Sequence, residues 1–119
     1  MKKTLSLLLT ACTLLAACTH EKPMSVRMTE SEMQRVPESW RLDFKDKIKW
    51  DYASGVELEG MLNTYERYGD EGIWQYALAF CDTMVNEDGT IKTYRPHEES
   101  LDRIHTAKLF YRVYDKTGE

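Results

Sequence analysis

The chain of 119 residues is short of the residues that punctuate or staple a fold, with three prolines, six glycines and three cysteines. Its one strongly apolar run, Leu5 to Ala17, is too short to cross a bilayer comfortably, so no transmembrane helix is expected. Positive charge is not in excess, with 16 Lys and Arg against 20 Asp and Glu, which argues against a nucleic-acid partner held by bulk electrostatics. There is no phosphate-cradling glycine loop, no G-x-S-x-G elbow and no H-E-x-x-H pair, which excludes the nucleotide-binding, serine-hydrolase and zincin patterns. Histidine and cysteine do not recur at ligand spacing, so no metal site is expected. Asp82, Asn86 and Asp88 precede Gly89 in the manner of a calcium loop, but Met84 stands where its first carboxylate is needed.

The cysteines divide by position. Lys2 and Lys3, the apolar run and then Leu15-Ala16-Ala17-Cys18 have the form of a lipoprotein signal over residues 1–17, with Cys18 as the lipidation site. The expectation is a protein of the bacterial cell envelope, anchored in a membrane by acylated Cys18 and joined to its folded part by a tether over 18–23. Removal of the signal takes Cys12 and two lysines with it, leaving 14 basic against 20 acidic residues, net −6. Cys81 then has no partner within the chain, and its apolar setting reads as a buried, inert thiol.

What the chain does contain is a repeated closing phrase. Tyr65-x-x-x-Gly69 returns 49 residues later as Tyr114-x-x-x-Gly118, each ending an amphipathic segment with a glycine suited to a left-handed stop. Leu58, Met61, Leu62, Tyr65 and Tyr68 predict one helix from about Ser54 to Tyr68. Ile73, Ala77, Phe80, Cys81 and Met84 predict its antiparallel partner over 71–85. A first helix from Met24 to Val36, with Met28, Met33 and Val36 on one side, should stop before Pro37. The connection over 37–49 mixes charge with Trp40, Leu42, Phe44 and Ile48, and its aromatics are expected to pack inward. Asn86 to Gly89 is a turn, Thr90 to Tyr94 a short extended piece, and a single helix capped by Ser100 carries Ile104, Ala107, Lys108, Tyr111 and Tyr114 to Gly118. The class is all-α, in helical hairpins that stack because one pair cannot bury its own apolar face.

Few residues invite chemistry. Asp102, in the first turn of the last helix, suits a carboxyl group facing a pocket and doing acid work; an aspartate there also simply offsets the helix dipole. Trp50, Tyr52 and Gly55 form W-x-Y-x-x-G at a helix mouth, where aromatic faces can stack on a sugar ring and a glycine admits a ligand to the backbone. The same three residues can equally be a hydrophobic staple and a close helix contact. His97 and His105 read as surface or capping residues, and Glu98 and Glu99 as solvated.

The runs SEMQRVPESWRLDFKDKIKWDYASGVELEGMLNTYERYGDE and NEDGTIKTYRPHEESLDRIHTAKLFYRVYDKTGE resemble the N-terminal part of glycoside hydrolase family 105, the unsaturated rhamnogalacturonyl hydrolases. They are similar, more distantly, to the family 88 unsaturated glucuronyl hydrolases. The resemblance covers about Ser25 to Glu119 and is most specific at W-D-Y-x-x-G over 50–55 and L-D-R-I over 101–104. It implies an (α/α)6 barrel of six helical hairpins, without metal or organic cofactor, that removes a 4,5-unsaturated uronic acid from the non-reducing end of an oligosaccharide. The implied reaction hydrates an enol ether: an aspartic acid protonates C4, water adds at C5, and the hemiketal opens to release the next sugar. A two-carboxylate displacement at the anomeric carbon is then not required.

By the same resemblance Asp102 matches the first of two active-site aspartates, and Trp50, Tyr52 and Gly55 match a motif that shapes the sugar site. The second aspartate, the proton donor, falls beyond Glu119, and Thr106-Ala107 departs from a glycine often found there. The expectation is therefore the N-terminal piece of such a hydrolase over 24–119, inactive alone, whose faces with Leu58, Met61, Leu62, Phe80 and Tyr111 await neighbours. The alternative is a small surface lipoprotein serving as a carbohydrate- or protein-binding helical module.

Overall fold

The computed structural model describes residues 21–118, so the signal segment and Cys18 lie outside the described residues. Helix α1 spans Met24–Arg35 and stops one residue short of Pro37, which disfavours helical backbone at Val36 (φ −128°, ψ 80°). Its buried side is Val26, Thr29 and the partly buried Met33, while Met28 is exposed. Met33 and Val36 lie inward as expected, but Met28 does not; Val26 and Thr29 complete the inward stripe in its place.

A single 3-10 turn at Ser39–Arg41 leads into the connection to α2. Leu42 is fully buried, Ile48 packs against the core, and Trp40 packs there as expected. Phe44 does not. Asp43 and Phe44 both take positive φ (60° and 56°), which turns the phenyl ring outward to lie 4.3 Å from the Arg35 guanidinium carbon.

Helix α2 spans Tyr52–Tyr68 and α3 spans Glu71–Met84. Gly69 closes α2 at φ 74°, its N–H donating to Tyr65 O at 2.7 Å. Asp70 immediately caps α3, accepting from Gly72 N at 2.9 Å, so the two helices turn back on each other within two residues. Leu58, Met61 and Leu62 of α2 and Ile73, Ala77, Phe80, Cys81 and Met84 of α3 form one buried cluster with Leu42, Trp50 and Leu109. Trp74 and Tyr76 are also buried, outside the apolar stripe read from the sequence. They are covered because α3 packs on α2, on the Ser39–Arg41 turn and on the last helix. The Tyr76 hydroxyl donates to Val36 O at 2.6 Å, and burial holds that phenol well above its ordinary range.

Past the Asn86–Gly89 turn, the extended piece reduces to one antiparallel bridge between Val85 and Ile91. A second 3-10 turn at Pro96–Glu98 precedes α4, Leu101–His105, and α5, Lys108–Thr117. The single helix expected here is thus two. Ala107, Leu109 and Phe110 donate to the carbonyls three residues back (3.0–3.2 Å), the tighter winding of a 3-10 turn, around a fully buried Thr106. Ser100 stands at the cap position but makes no side-chain capping bond. Gly118 closes α5 as Gly69 closes α2, at φ 76° with its N–H 2.7 Å from Tyr114 O.

The α4–α5 segment runs alongside α2 in the same direction. Trp50 meets Arg103, Arg112 meets Asn63, and Lys116 meets Tyr65, offsets of 53, 49 and 51 residues along the chain. The register of the two helices therefore tracks the 49-residue spacing of the closing phrase. Leu58, Met61, Leu62 and Phe80 are covered within this body, whereas Tyr111 is 73% exposed, with Leu101, Ile104 and Tyr114 also exposed. Among the described residues no helix is long and apolar enough to cross a membrane.

Candidate active site at the mouths of two parallel helices

The W-D-Y-x-x-G motif forms the entrance of α2. Asp51 is its cap, accepting from Ser54 N at 3.3 Å, and its carboxylate lies 3.1 Å from Lys45 Nζ. Lys45 is almost wholly buried and also donates to Leu42 O (2.9 Å) and Ser54 Oγ (2.7 Å). An ammonium at a helix N-terminus opposes the helix dipole, so Asp51 is required there to balance it. The sequence reading began this helix at Ser54 and missed the cap; an aspartate three residues before a serine was the available signal.

Trp50 is 1% exposed and presents no face to a ligand. Its ring stacks on Phe110 (5.5 Å between centroids, 7° between planes), and its indole N–H donates to Arg103 O at 2.6 Å. Gly55 is equally structural. A Cβ there would lie 2.4 Å from Thr106 Oγ1 and 2.8 Å from Thr106 Cα, so the glycine lets α4 approach α2, and Thr106 donates to Asp51 O at 2.6 Å. Of the three aromatic and glycine positions singled out, Tyr52 keeps an open surface, at 49% exposed.

Trp50 and Gly55 thus clamp α4, and α4 carries Asp102. The aspartate lies exposed in the first turn of α4, directly before Arg103, whose carbonyl the indole holds. The guanidinium of Arg103 pairs with Glu98 at 2.8 Å and reaches Thr93 O at 3.2 Å, tying the preceding loop to the same corner. Two motifs some fifty residues apart in the chain meet in one place, with the Tyr52 phenol and the Asp102 carboxyl group as exposed polar members. His97 is exposed, whereas His105 packs against Tyr52, which the sequence reading did not anticipate. Among the described residues no cluster of His, Cys, Asp and Glu could hold a metal ion. The Cys81 thiol is pushed up to about 12 by burial and is no nucleophile.

Stacked helical hairpins with polar groups gathered at adjacent helix mouths are consistent with part of a six-hairpin glycosidase fold. The family model for Glycosyl Hydrolase Family 88 matches residues 24–119, and the chain belongs to that family. The domain is accordingly a glycoside hydrolase domain of the unsaturated glucuronyl hydrolase type, whose substrate is an oligosaccharide. No solved structure matches the chain.

Proposed function

We propose that this domain belongs to a family 105-like enzyme that hydrates and releases 4,5-unsaturated uronic acid from pectin-derived oligosaccharides such as unsaturated rhamnogalacturonan. The observation that carries the reading is the 2.6 Å bond from the Trp50 indole to the Arg103 carbonyl, which joins the two motifs shared with those enzymes. Tyr52 offers an aromatic face and a hydroxyl to the sugar, and Asp102, in the first turn of α4, offers a carboxyl group; Trp50 and Gly55 act by holding α4 against α2. In the reaction a proton adds to C4 and water oxygen to C5 of the enol ether, and the C5 hemiketal opens with departure of the next sugar. One water is consumed and no oxidant is needed.

The test uses the protein expressed from its whole gene, with unsaturated rhamnogalacturonyl and glucuronyl disaccharides compared by loss of the ultraviolet absorbance of the conjugated double bond. The rhamnogalacturonyl substrate should be consumed faster, and Asp102→Asn should lower kcat by about a hundredfold or more. Preference for the glucuronyl disaccharide, or full activity in Asp102→Asn, would overturn the assignment. Anchoring through Cys18 belongs to the same proposal: labelled fatty acid should enter the wild-type protein in bacterial cells and not Cys18→Ser.

A further inference from the structure

Resting on the reading above, in which Tyr52 faces the sugar, we propose that His105 is a positioning residue that sets the attitude of the Tyr52 ring, with Glu59 holding His105 in turn. The imidazole and phenol centroids are 4.9 Å apart, with their planes inclined at 53°. On its other side His105 Nε2 lies 3.3 Å from Glu59 Oε2. Tyr52 and Glu59 are two turns apart on one face of α2, and the last residue of α4 contacts both.

The remaining ring nitrogen fixes how the imidazole is used. His105 Nδ1 is buried without a hydrogen-bond partner. A proton there would be an orphaned buried donor, which folded proteins avoid more strictly than a bare acceptor. The proton is therefore placed on Nε2, the nitrogen that faces the Glu59 carboxylate at ion-pair distance, which keeps the ring in one tautomer. With Nδ1 sealed and Nε2 engaged, His105 has no free nitrogen to offer a sugar. It acts through Tyr52, removing rotational freedom that a half-exposed phenol would otherwise lose on binding.

Tyr52→Ala, His105→Leu and the double variant, made in the protein expressed from its whole gene, test this by steady-state kinetics on the unsaturated disaccharide. His105→Leu should raise KM about tenfold with kcat within about twofold, the signature of lost uniform binding. The double variant should be no worse than Tyr52→Ala, because His105 works through that ring alone. Glu59→Gln, whose amide oxygen can take the place of the carboxylate oxygen facing Nε2, should stay near wild type, and Glu59→Leu should follow His105→Leu. If His105→Leu fails to fold, His105→Gln, which loses the ring but keeps a donor, carries the same expectation. A substrate-free readout comes from tyrosine ring resonances, assigned with Tyr52→Phe: those of Tyr52 should move in the His105 variant. Additive KM effects, or unmoved Tyr52 resonances, would overturn the proposal. Moved resonances in a protein inactive on unsaturated uronides would support the positioning contact while overturning the sugar reading.

Discussion

Helix α2 and the α4–α5 segment carry the same closing phrase, stop at the same left-handed glycine geometry and lie side by side in one direction, yet they are buried very differently. Six residues of α2 are buried, Ser54, Gly55, Leu58, Met61, Leu62 and Thr64, whereas α4 has none and α5 has Leu109 alone. A helix stop is a local matter, decided by a glycine and its hydrogen bond. Burial is decided by neighbours, and α2 has α1, α3, α4 and α5 around it. The difference is graded along the second segment: its contacts with α2 are dense at the mouth, where Trp50, Gly55 and Thr106 meet, and become ionic further on.

The comparison breaks most severely at Trp50. Trp50→Ala should destabilise by about 3–5 kcal/mol, most of what a body of this size possesses, and release α4 from α2; urea unfolding measures it. Trp50→Phe should cost less, because it keeps an aromatic ring in the core while losing the donor to Arg103 O and part of the indole's volume. Gly55→Ala should cost about 1–3 kcal/mol by forcing α4 away from α2, since the clash includes Thr106 backbone. Gly60→Ala, on the same helix but with nothing within 4 Å of the new methyl, should instead stabilise by up to about 1 kcal/mol. The paired glycine stops sharpen the contrast: Gly69→Ala should cost about 1 kcal/mol, and Gly118→Ala only a few tenths, since the sparsely buried last turn of α5 can fray.

The smallest effect concerns charge. Lys116 lies over Tyr65 and Trp74, 4.4 and 4.1 Å from their ring centroids, and is within 3.3 Å of Glu71. The Tyr65 hydroxyl and then the Lys116 ammonium hold the Glu71 carboxyl below its ordinary 4.5. A lowered carboxyl value means that this contribution is complete above the ordinary value and lost as pH falls through the lower folded one. Fluorescence of Trp74 should report α5 loosening below pH 4.5 and not between pH 6 and 8. Glu71→Gln should flatten that response.

Much of this fold was legible in the sequence because hairpin helices advertise themselves. The α2 stripe, the Gly69-Asp70 turn and the α3 stripe follow from a 3.6-residue period with a glycine stop and an aspartate cap. The misreadings share a cause: Thr29 and Thr106 are polar by composition and buried in fact, one because it faces α2 and the other because its hydroxyl satisfies Asp51 O. Phe44 was misplaced because two successive positive φ values cannot be read from an Asp-Phe pair. At the site, the motif residues were visible but their division of labour was not. Whether an aromatic holds a ligand or holds a helix depends on exposure, and Trp50 and Tyr52 differ in that alone.

Asp51 joins three kinds of bond at one residue: its carboxylate caps α2 and neutralises buried Lys45, while its carbonyl receives the hydroxyl of Thr106. Loss of the carboxylate would uncap a helix and strand a cation in one event, at the residue whose carbonyl anchors the neighbouring helix. The amide of Ser54 and the indole N–H of Trp50 should therefore exchange with solvent hydrogen at a common rate, as parts of a single opening unit.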